Sequence, residues 1–301
     1  MQTNDKTTHL KSWLSASFRI VLLITLCCVL YRVQLKWLDF TEIRFVFPAF
    51  FLIAILLVPF NLALDWLRFK KSLECAKMAG DYLSNSFFQG LIVSFFTPAI
   101  LAATVGRMHP LHKEKNASML FSGFYCGLSQ FGITMGFACF GAFFLRDDVP
   151  MYTIWCFFGT FVFSVAAMFL SPKYLKKPLR ITGETVEITP RRKLSLVGLS
   201  LLRYGVFSVQ FHVLLQSLGQ EFSIHQALVL MISYGLITLT PSILFGKIVV
   251  REALAVAVFS AFLYAKEPVF IAAFLTWLFN VIFPLIFATI RLMFTWKSQY
   301  S

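Results

Sequence analysis

The sequence predicts an all-α, polytopic membrane protein of about 7–8 spans, with one or two broken or re-entrant helices. Three observations predict this fold class. Hydrophobic residues make up 58% of the 301 positions, charged residues only 14%, and Phe alone occurs 36 times. The hydrophobic residues form runs long enough to cross a hydrocarbon core of about 30 Å. Two of these runs contain a Thr-Pro break, which is tolerated at membrane depth only where protein or a water-filled cavity surrounds the backbone.

The net charge of +13 is spread over short loops between the apolar runs. Charges in such loops orient a membrane protein and attract anionic headgroups, so we expect lipid partners and no nucleic acid. The cysteines have no metal-ligand or disulfide spacing, and no Gly-rich phosphate loop or catalytic motif occurs. We therefore expect no cofactor, no metal site and no catalytic residue. Five of the six cysteines lie within apolar runs: Cys27, Cys28, Cys126, Cys139 and Cys156.

The domain organisation predicted from these runs is a cytoplasmic N-terminus at 1–17, a single transmembrane domain at 18–293 and a cytoplasmic tail at 294–301. The first span is predicted at 18–38 and is not followed by a cleavage site, so it is expected to stay in the protein. The longest polar segment, 171–193, carries seven Lys or Arg residues and is predicted to be a cytoplasmic loop.

The second span is predicted at 43–64 and ends in a polar group of residues. Asn61, Asp65 and Arg68 recur at helical spacing and therefore share one face of a helix. Two interpretations stay open at this point. The residues form either a salt-bridged helix end at the membrane interface or a polar cluster that faces a substrate.

The run 87–105 is predicted to be re-entrant, because counts of Lys and Arg discriminate between the topologies. If it crosses the membrane, the loops up to residue 226 place 8 basic residues inside and 13 outside. If it enters and returns, the same loops place 17 inside and 4 outside. The second bias is typical of membrane proteins. It predicts a multi-pass protein of the plasma (inner) membrane with cytoplasmic N- and C-termini.

The following spans are predicted at 117–145, 151–170 and 194–218. The first contains glycines spaced four or five residues apart, which predict close helix packing: Gly123, Gly127, Gly132, Gly136 and Gly141. The third contains Arg203. An arginine inside a span is either a functional group or half of an inward-facing ion pair, and Glu252 is its candidate partner.

The segment 240–252 separates the runs 227–245 and 248–264 and is the most irregular part of the predicted membrane domain. Pro241 and Gly246 interrupt the helix, and Arg251 and Glu252 follow within a few residues. The two runs either cross twice or enter as a hairpin. A similar Thr-Pro-x-Ile-Leu sequence precedes Gly106-Arg107, so Pro98 and Pro241 belong either to an internal repeat or to a chance match. A last span is predicted at 269–293.

Three short motifs occur in this order along the chain: Asn61…Trp66-x-Arg68, Thr97-Pro98…Gly106-Arg107 and Pro241-Ser242…Gly246…Arg251-Glu252-Ala253. They resemble those of the lysylphosphatidylglycerol synthase transmembrane-region family, also described as the flippase-like domain family. That resemblance implies a membrane domain that moves a modified phospholipid across the bilayer. The 301 residues contain no soluble transferase domain, so lysyl transfer is not implied.

The function predicted from the sequence is translocation or binding of a phospholipid or a lipid-linked headgroup, with an anionic or aminoacylated phospholipid as the partner. Arginine side chains would attract the phosphate, and helix N-termini after the two prolines would add positive potential. The alternatives are an intramembrane enzyme that acts on a lipid or lipid-linked sugar, with Glu252 and His212, and a scaffold for a separate synthase. The candidate substrate-binding residues are Arg251, Glu252, Arg203, Pro241, Gly246, Pro98, Arg107, Asn61 and Arg68.

Overall fold

The computed structural model describes residues 44–73, 80–96, 116–169, 189–240 and 246–300, and all regular secondary structure in these ranges is helical. The predicted first span at 18–38 and most of the loop 171–193 lie outside the described residues. The helices are α1 (Pro48–Leu73), α2 (Gly80–Phe96), α3 (Asn116–Phe144), α4 (Met151–Phe169), α5 (Pro190–Ser217), α6 (Ile224–Leu239), α7 (Gly246–Ala261), α8 (Lys266–Trp277), a π-helical segment (Leu278–Ile282) and α9 (Phe283–Tyr300).

Five described helices are long and apolar enough to cross a bilayer, which confirms the predicted helical membrane fold. They are Pro48–Leu73, Phe121–Phe144, Met151–Phe169, Pro190–Ser217 and Lys266–Leu292. Most boundaries agree with the apolar runs to within a few residues. The largest differences are that α2 begins at Gly80, seven residues before the predicted run, and that α1 continues past the predicted end at residue 64 to Leu73. It continues because Asp65 and Arg68 find partners inside the protein and do not need to end the helix in water.

Helices α1 and α5 form an antiparallel pair from the start of α1 to the middle of both helices. The N–H of Val46 donates to the carbonyl of Ser217 at 2.8 Å, at one end of the pair. Gln210 Nε2 donates to the carbonyl of Ala54 at 2.8 Å, about one quarter of the way along α1. The next contact joins Asn61 and Arg203, near the middle of both helices. This pairing brings polar residues of the two helices to the same depth.

Helix α3 also runs antiparallel to α1, because Arg68 bonds the carbonyl of Cys126 and Ser72 bonds Ser122 one turn further on. Leu73 and Asn116 therefore lie at the same end of the bundle. The re-entrant prediction for 87–105 requires this arrangement of the two helix ends, although residues 97–105 of that run lie outside the described residues. Its described part, α2, runs back along α1, where the Phe87 ring lies 5.2 Å from the ring of Trp66.

Glycines set the close packing of α3, as the sequence predicts for some of them. A Cβ on Gly141 would lie 2.7 Å from the carbonyl oxygen of Leu228, and one on Gly136 would lie 3.1 Å from the Phe161 ring. Gly127, in contrast, has open space where a Cβ would lie. Gly235 on α6, which the sequence analysis did not single out, is the most crowded, since a Cβ there would lie 2.4 Å from the Ala138 Cβ.

Helices α6 and α7 form an antiparallel hairpin, with 16 residues in each arm. Its open end is closed by a contact of 2.9 Å between His225 Nδ1 and the Tyr264 hydroxyl. Each arm extends about 24 Å, which is less than the roughly 30 Å of a hydrocarbon core. The length favours the re-entrant alternative over two full crossings. The turn itself, at 241–245, lies outside the described residues.

The two ends of the bundle differ in charge. We call the end that contains Leu73 and Pro190 the basic end, and the other the acidic end. The basic end carries Lys70, Lys71, Arg191, Arg192 and Lys193. The acidic end carries three basic and four acidic residues among its described loops and helix ends: Arg44, Arg146, Lys266, Asp147, Asp148, Glu221 and Glu267.

Candidate functional site

Polar side chains from three helical segments meet near the centre of the bundle. We call this group the central polar cluster; it consists of Asn61, Asp65, Arg203, Gln210 and Asn280. Asn61 and Arg203 lie at the midpoints of α1 and α5, about 20 Å from either helix end. Polar and charged side chains at that depth are costly unless they bond one another, and they mark functional sites by default.

Arg203 holds the cluster together through two partners on α1. Its Nε donates to Asn61 Oδ1 at 3.0 Å, and its Nη1 lies 3.3 Å from Asp65 Oδ1. The Arg203 side chain is 26% exposed, so it is not sealed within the protein. Its Nη2 forms no hydrogen bond to the described residues and remains available to a ligand.

Arg68 shares the Asp65 carboxylate but has a structural role. Its Nη1 lies 3.2 Å from Asp65 Oδ1, while its Nη2 donates to the carbonyl of Cys126 and to Ser129 Oγ on α3. Ser129 in turn bonds Ser200 of α5 at 2.9 Å. With a side chain only 3% exposed, Arg68 ties α1 to α3. The sequence placed it correctly on one face with Asn61 and Asp65, and in the structure this face lies within α1 and not at its end.

Asn280 enters the cluster because the last helix contains a π turn. Pro284 has no N–H to donate to the Asn280 carbonyl four residues earlier, so the regular α pattern is interrupted. The N–H of Phe283 donates instead to the carbonyl of Leu278, five residues back. In this turn the Asn280 amide donates to Gln210 Oε1 and to the Thr276 carbonyl, and it accepts a hydrogen bond from Asn61.

A small cavity of about 20 Å³ lies beside the cluster. That volume holds about one water molecule and is too small for a lipid headgroup. A headgroup could reach the cluster only if the surrounding helices separate or if it approaches the exposed part of Arg203. The cavity is lined by Val58, Asn61, Leu62, Asp65, Leu91, Arg203, Asn280 and Pro284.

Arg251 and Glu252, in the first half of α7, are not part of the central polar cluster. The Arg251 guanidinium carbon lies 5.6 Å from the centroid of the Phe207 ring, one helical turn beyond Arg203. Glu252 is buried, and neither carboxylate oxygen has a hydrogen-bond partner among the described residues. The predicted pair of Arg203 and Glu252 is therefore wrong. Asp65 lies opposite Arg203 on an antiparallel helix at the same depth and takes its place.

Comparison with protein-family models and with curated proteins gave no match for this chain. The geometry of the cluster thus carries the functional interpretation.

The nine predicted site residues have different outcomes. Asn61, Arg68 and Arg203 lie together around Asp65. Arg251 lies over the ring of Phe207, and Glu252 is buried on the apolar face of α7. Gly246 begins α7. The remaining predictions, Pro241, Pro98 and Arg107, lie outside the described residues. Sequence reasoning left out Gln210 and Asn280 as site residues, and it considered Asp65 only as part of the polar face at the end of the second span. The signal that could have indicated Asn280 is the proline four positions after it.

Proposed function

We propose that this protein binds the polar headgroup of a membrane phospholipid at the central polar cluster and moves the lipid between the leaflets. The observation that carries the proposal is the Arg203–Asp65 ion pair with its amide partners at mid-depth. A lipid that changes leaflet must pass its headgroup through the apolar core, where a hydrogen-bonding surface lowers the cost of dehydration. Such a surface has no evident use in a protein that only anchors to the bilayer.

The charge of the site favours a lipid phosphate. Arg203 and Arg68 contribute two positive charges, and Asp65 contributes one negative charge, so the three together carry a net charge of about +1. A guanidinium offers paired N–H donors that match phosphate oxygens, and Arg203 Nη2 forms no hydrogen bond to the described residues. Asp65 would bind the ammonium of an aminoacylated headgroup, so both anionic and aminoacylated phospholipids fit this chemistry.

The surface next to the cluster suits the acyl chains. Leu56 and Phe60 on α1 are each 63% exposed, and Phe60 directly precedes Asn61. Leu202, which precedes Arg203 on α5, is 59% exposed. Lipid tails can stay against these side chains in the hydrocarbon while the headgroup contacts the amides and Arg203. The two parts of an amphipathic ligand would thus be accommodated by adjacent residues.

The orientation belongs to the same proposal. Five basic residues at the basic end, against a mixed set of charges at the acidic end, support a cytoplasmic location of the basic end. With that orientation the C-terminus is cytoplasmic, and the loops at 145–150 and 218–223 face outward. The plasma (inner) membrane is the membrane we propose.

The test is a translocation assay with purified protein in liposomes. Headgroup-labelled phosphatidylglycerol and lysyl-phosphatidylglycerol are the probes, and a membrane-impermeant quencher reports how much probe has changed leaflet. Wild-type protein should accelerate the exchange of at least one probe over protein-free liposomes. Arg203→Gln should slow that exchange about tenfold or more, because a charge-assisted hydrogen bond to phosphate is worth about 1.5–3 kcal/mol.

Arg146→Gln is the matched control. It removes the same charge as Arg203→Gln, but from an exposed position in the loop at the acidic end. This variant should behave like the wild type. Exchange no faster than in protein-free liposomes, or equal exchange by the wild type and Arg203→Gln, would contradict the proposal. Matching melting temperatures in detergent would show that Arg203→Gln is folded.

A further inference from the structure

Glu252 is a buried carboxyl group that the central polar cluster does not use. Its residue is 1% exposed, and both carboxylate oxygens lack a hydrogen-bond partner among the described residues. It shares a face of α7 with Ala255, Val256 and Phe259, which are all buried in the apolar core. A charged carboxylate in such surroundings is costly, and a group of this kind normally neutralises.

The depth of Glu252 adds to this cost. It lies nine residues before Ala261, where α7 ends at the acidic end of the bundle. At the rise of an α-helix this corresponds to about 14 Å, close to half of a hydrocarbon core of about 30 Å. The carboxyl group therefore lies near the middle of the membrane.

Arg251 does not neutralise Glu252, although it is the adjacent residue. Neighbouring side chains on a helix point about 100° apart, and the Arg251 guanidinium lies over the Phe207 ring instead. No salt bridge within 4.0 Å joins Glu252 to any described cation, since the recorded ion pairs among those residues both involve Asp65. The two groups are adjacent in sequence but form no salt bridge.

Other titratable or charged groups on the helices packed against α7 have their own contacts or lie near the acidic end. Tyr234 of α6 donates to the Phe207 carbonyl, and His225 contacts Tyr264. His212 of α5 contacts Gln226, and Arg203 is paired with Asp65. The set is completed by Tyr204 of α5, whose hydroxyl has no partner among the described residues, and by Lys266 and Glu267, which begin α8.

We infer that Glu252 is a proton-binding site, occupied by a proton in the conformation described here. The ligand is a single proton held as the carboxyl O–H. Release breaks that O–H bond and transfers the proton to water, leaving a carboxylate anion beside Arg251. This anion would draw the Arg251 guanidinium away from Phe207, which lies one helical turn from Arg203. A role in driving lipid movement rests on the proposed function; the proton site does not.

The proton site is tested by the pH dependence of stability in purified full-length protein. Glu252→Gln keeps the neutral form at every pH, so it serves as a permanently protonated reference. The folded protein accommodates the neutral carboxyl, so the wild type should be fully stable at low pH and lose stability as the pH rises. Its melting temperature relative to Glu252→Gln should therefore fall as the pH rises from about 4, where a glutamate ordinarily titrates, through neutral pH. Glu221→Gln, in the exposed loop at the acidic end, should track the wild type.

A constant difference between wild type and Glu252→Gln over this pH range would overturn the proton site. A second measurement does not depend on the variant. A hydrophobic carbodiimide modifies protonated carboxyls in apolar surroundings, and peptide mass spectrometry should find Glu252 modified near neutral pH and Glu221 unmodified. Glu252 left unmodified would likewise overturn the inference.

The coupling to lipid movement is measured separately in the liposome assay with a pH gradient. A gradient should change the rate for the wild type at least several-fold and leave Glu252→Gln unaffected. If lipid exchange fails altogether while the stability test succeeds, the proposed function is wrong and the proton site stands. If exchange occurs without any response to the gradient, the coupling role is overturned.

Discussion

Arg203 Nη1 lies 3.3 Å from Asp65 Oδ1, and this ion pair joins the middle of α5 to α1 across 138 positions of sequence. The same Asp65 oxygen lies 3.2 Å from Arg68 Nη1. One carboxylate therefore compensates two guanidinium groups, of which Arg68 is committed to α3 and Arg203 remains partly exposed. This unequal sharing distinguishes a structural arginine from one that can exchange partners, and it has consequences for mutation.

Asp65→Asn should be the most damaging single change in the cluster. It removes the carboxylate that the two guanidinium groups share, and breaking such a pair costs about 3–5 kcal/mol. The double variant Asp65→Asn with Arg203→Gln should recover part of that loss, because it restores the original net charge of the cluster. Thermal or denaturant unfolding in detergent measures both, with Asp148→Asn in the exposed loop as the control. A double variant as unstable as the sum of the two single variants would contradict this account.

Pro284→Ala should impair function more than stability. The new N–H can donate to the Asn280 carbonyl, so the π turn can revert to a regular α-helix. An α turn contains one residue fewer than a π turn. The change therefore rotates Asn280 by about 100° about the helix axis and breaks its bonds to Asn61 and Gln210. We expect lipid exchange to fall about tenfold, from loss of roughly 1.4 kcal/mol of hydrogen bonding in the cluster. Melting should change little, because the new backbone hydrogen bond to the Asn280 carbonyl offsets the lost side-chain bonds. Pro150→Ala, in a loop, should leave exchange unchanged; retention of exchange in Pro284→Ala would count against the role of Asn280.

Gly235→Ala should separate α3 from α6. A Cβ at this position would lie 2.4 Å from the Ala138 Cβ and 2.9 Å from the Phe157 ring. Overpacking of this kind costs about 1–3 kcal/mol. Gly198→Ala on α5 is the matched control, because a Cβ there meets nothing within 4 Å, and it should stabilise the helix by about 0.5–1 kcal/mol. The melting temperature should fall in Gly235→Ala and rise in Gly198→Ala. Equal shifts in the two variants would show that α3 and α6 do not approach closely at Gly235.

The orientation can be checked with single cysteines in a background where all six native cysteines are replaced. A membrane-impermeant maleimide added to intact cells should label Asp147→Cys at the acidic end. It should label Arg191→Cys, at the basic end, only after the membrane is opened. Both positions are exposed, so accessibility depends on the side of the membrane. The reverse pattern would show that the bundle is inserted the other way round.

Much of the fold could be predicted from the sequence because membrane helices are specified locally. The apolar run predicted at 151–170 corresponds to Met151–Phe169, and the run at 117–145 corresponds to Asn116–Phe144. The length of an apolar run and the positions of lysine and arginine are readable without contacts. They also led to the prediction that 87–105 does not cross once, which agrees with the antiparallel contacts of α1 and α3.

The incorrect predictions concern the positions and the partners of charged side chains. Asp65 and Arg68 were expected near a helix end, since charges usually stop a span, and Arg203 was assigned to Glu252 as a scarce acidic residue. Neither the rule that charges end a span nor the rule that scarce charges pair takes account of the distances between helices. In the structure α1 and α5 run antiparallel, which puts Asp65 opposite Arg203 and leaves Glu252 on another helix among apolar side chains.

The sequence by itself determined that this is a helical membrane protein with irregular segments and a strong asymmetry of basic residues. Those properties follow from composition and from short-range patterns along the chain. Only the tertiary structure decided which polar groups meet, because Asn61 is bonded to residues 142 and 219 positions away. Such pairings depend on helix direction, depth and the π turn at Asn280, and these emerge only when the helices pack.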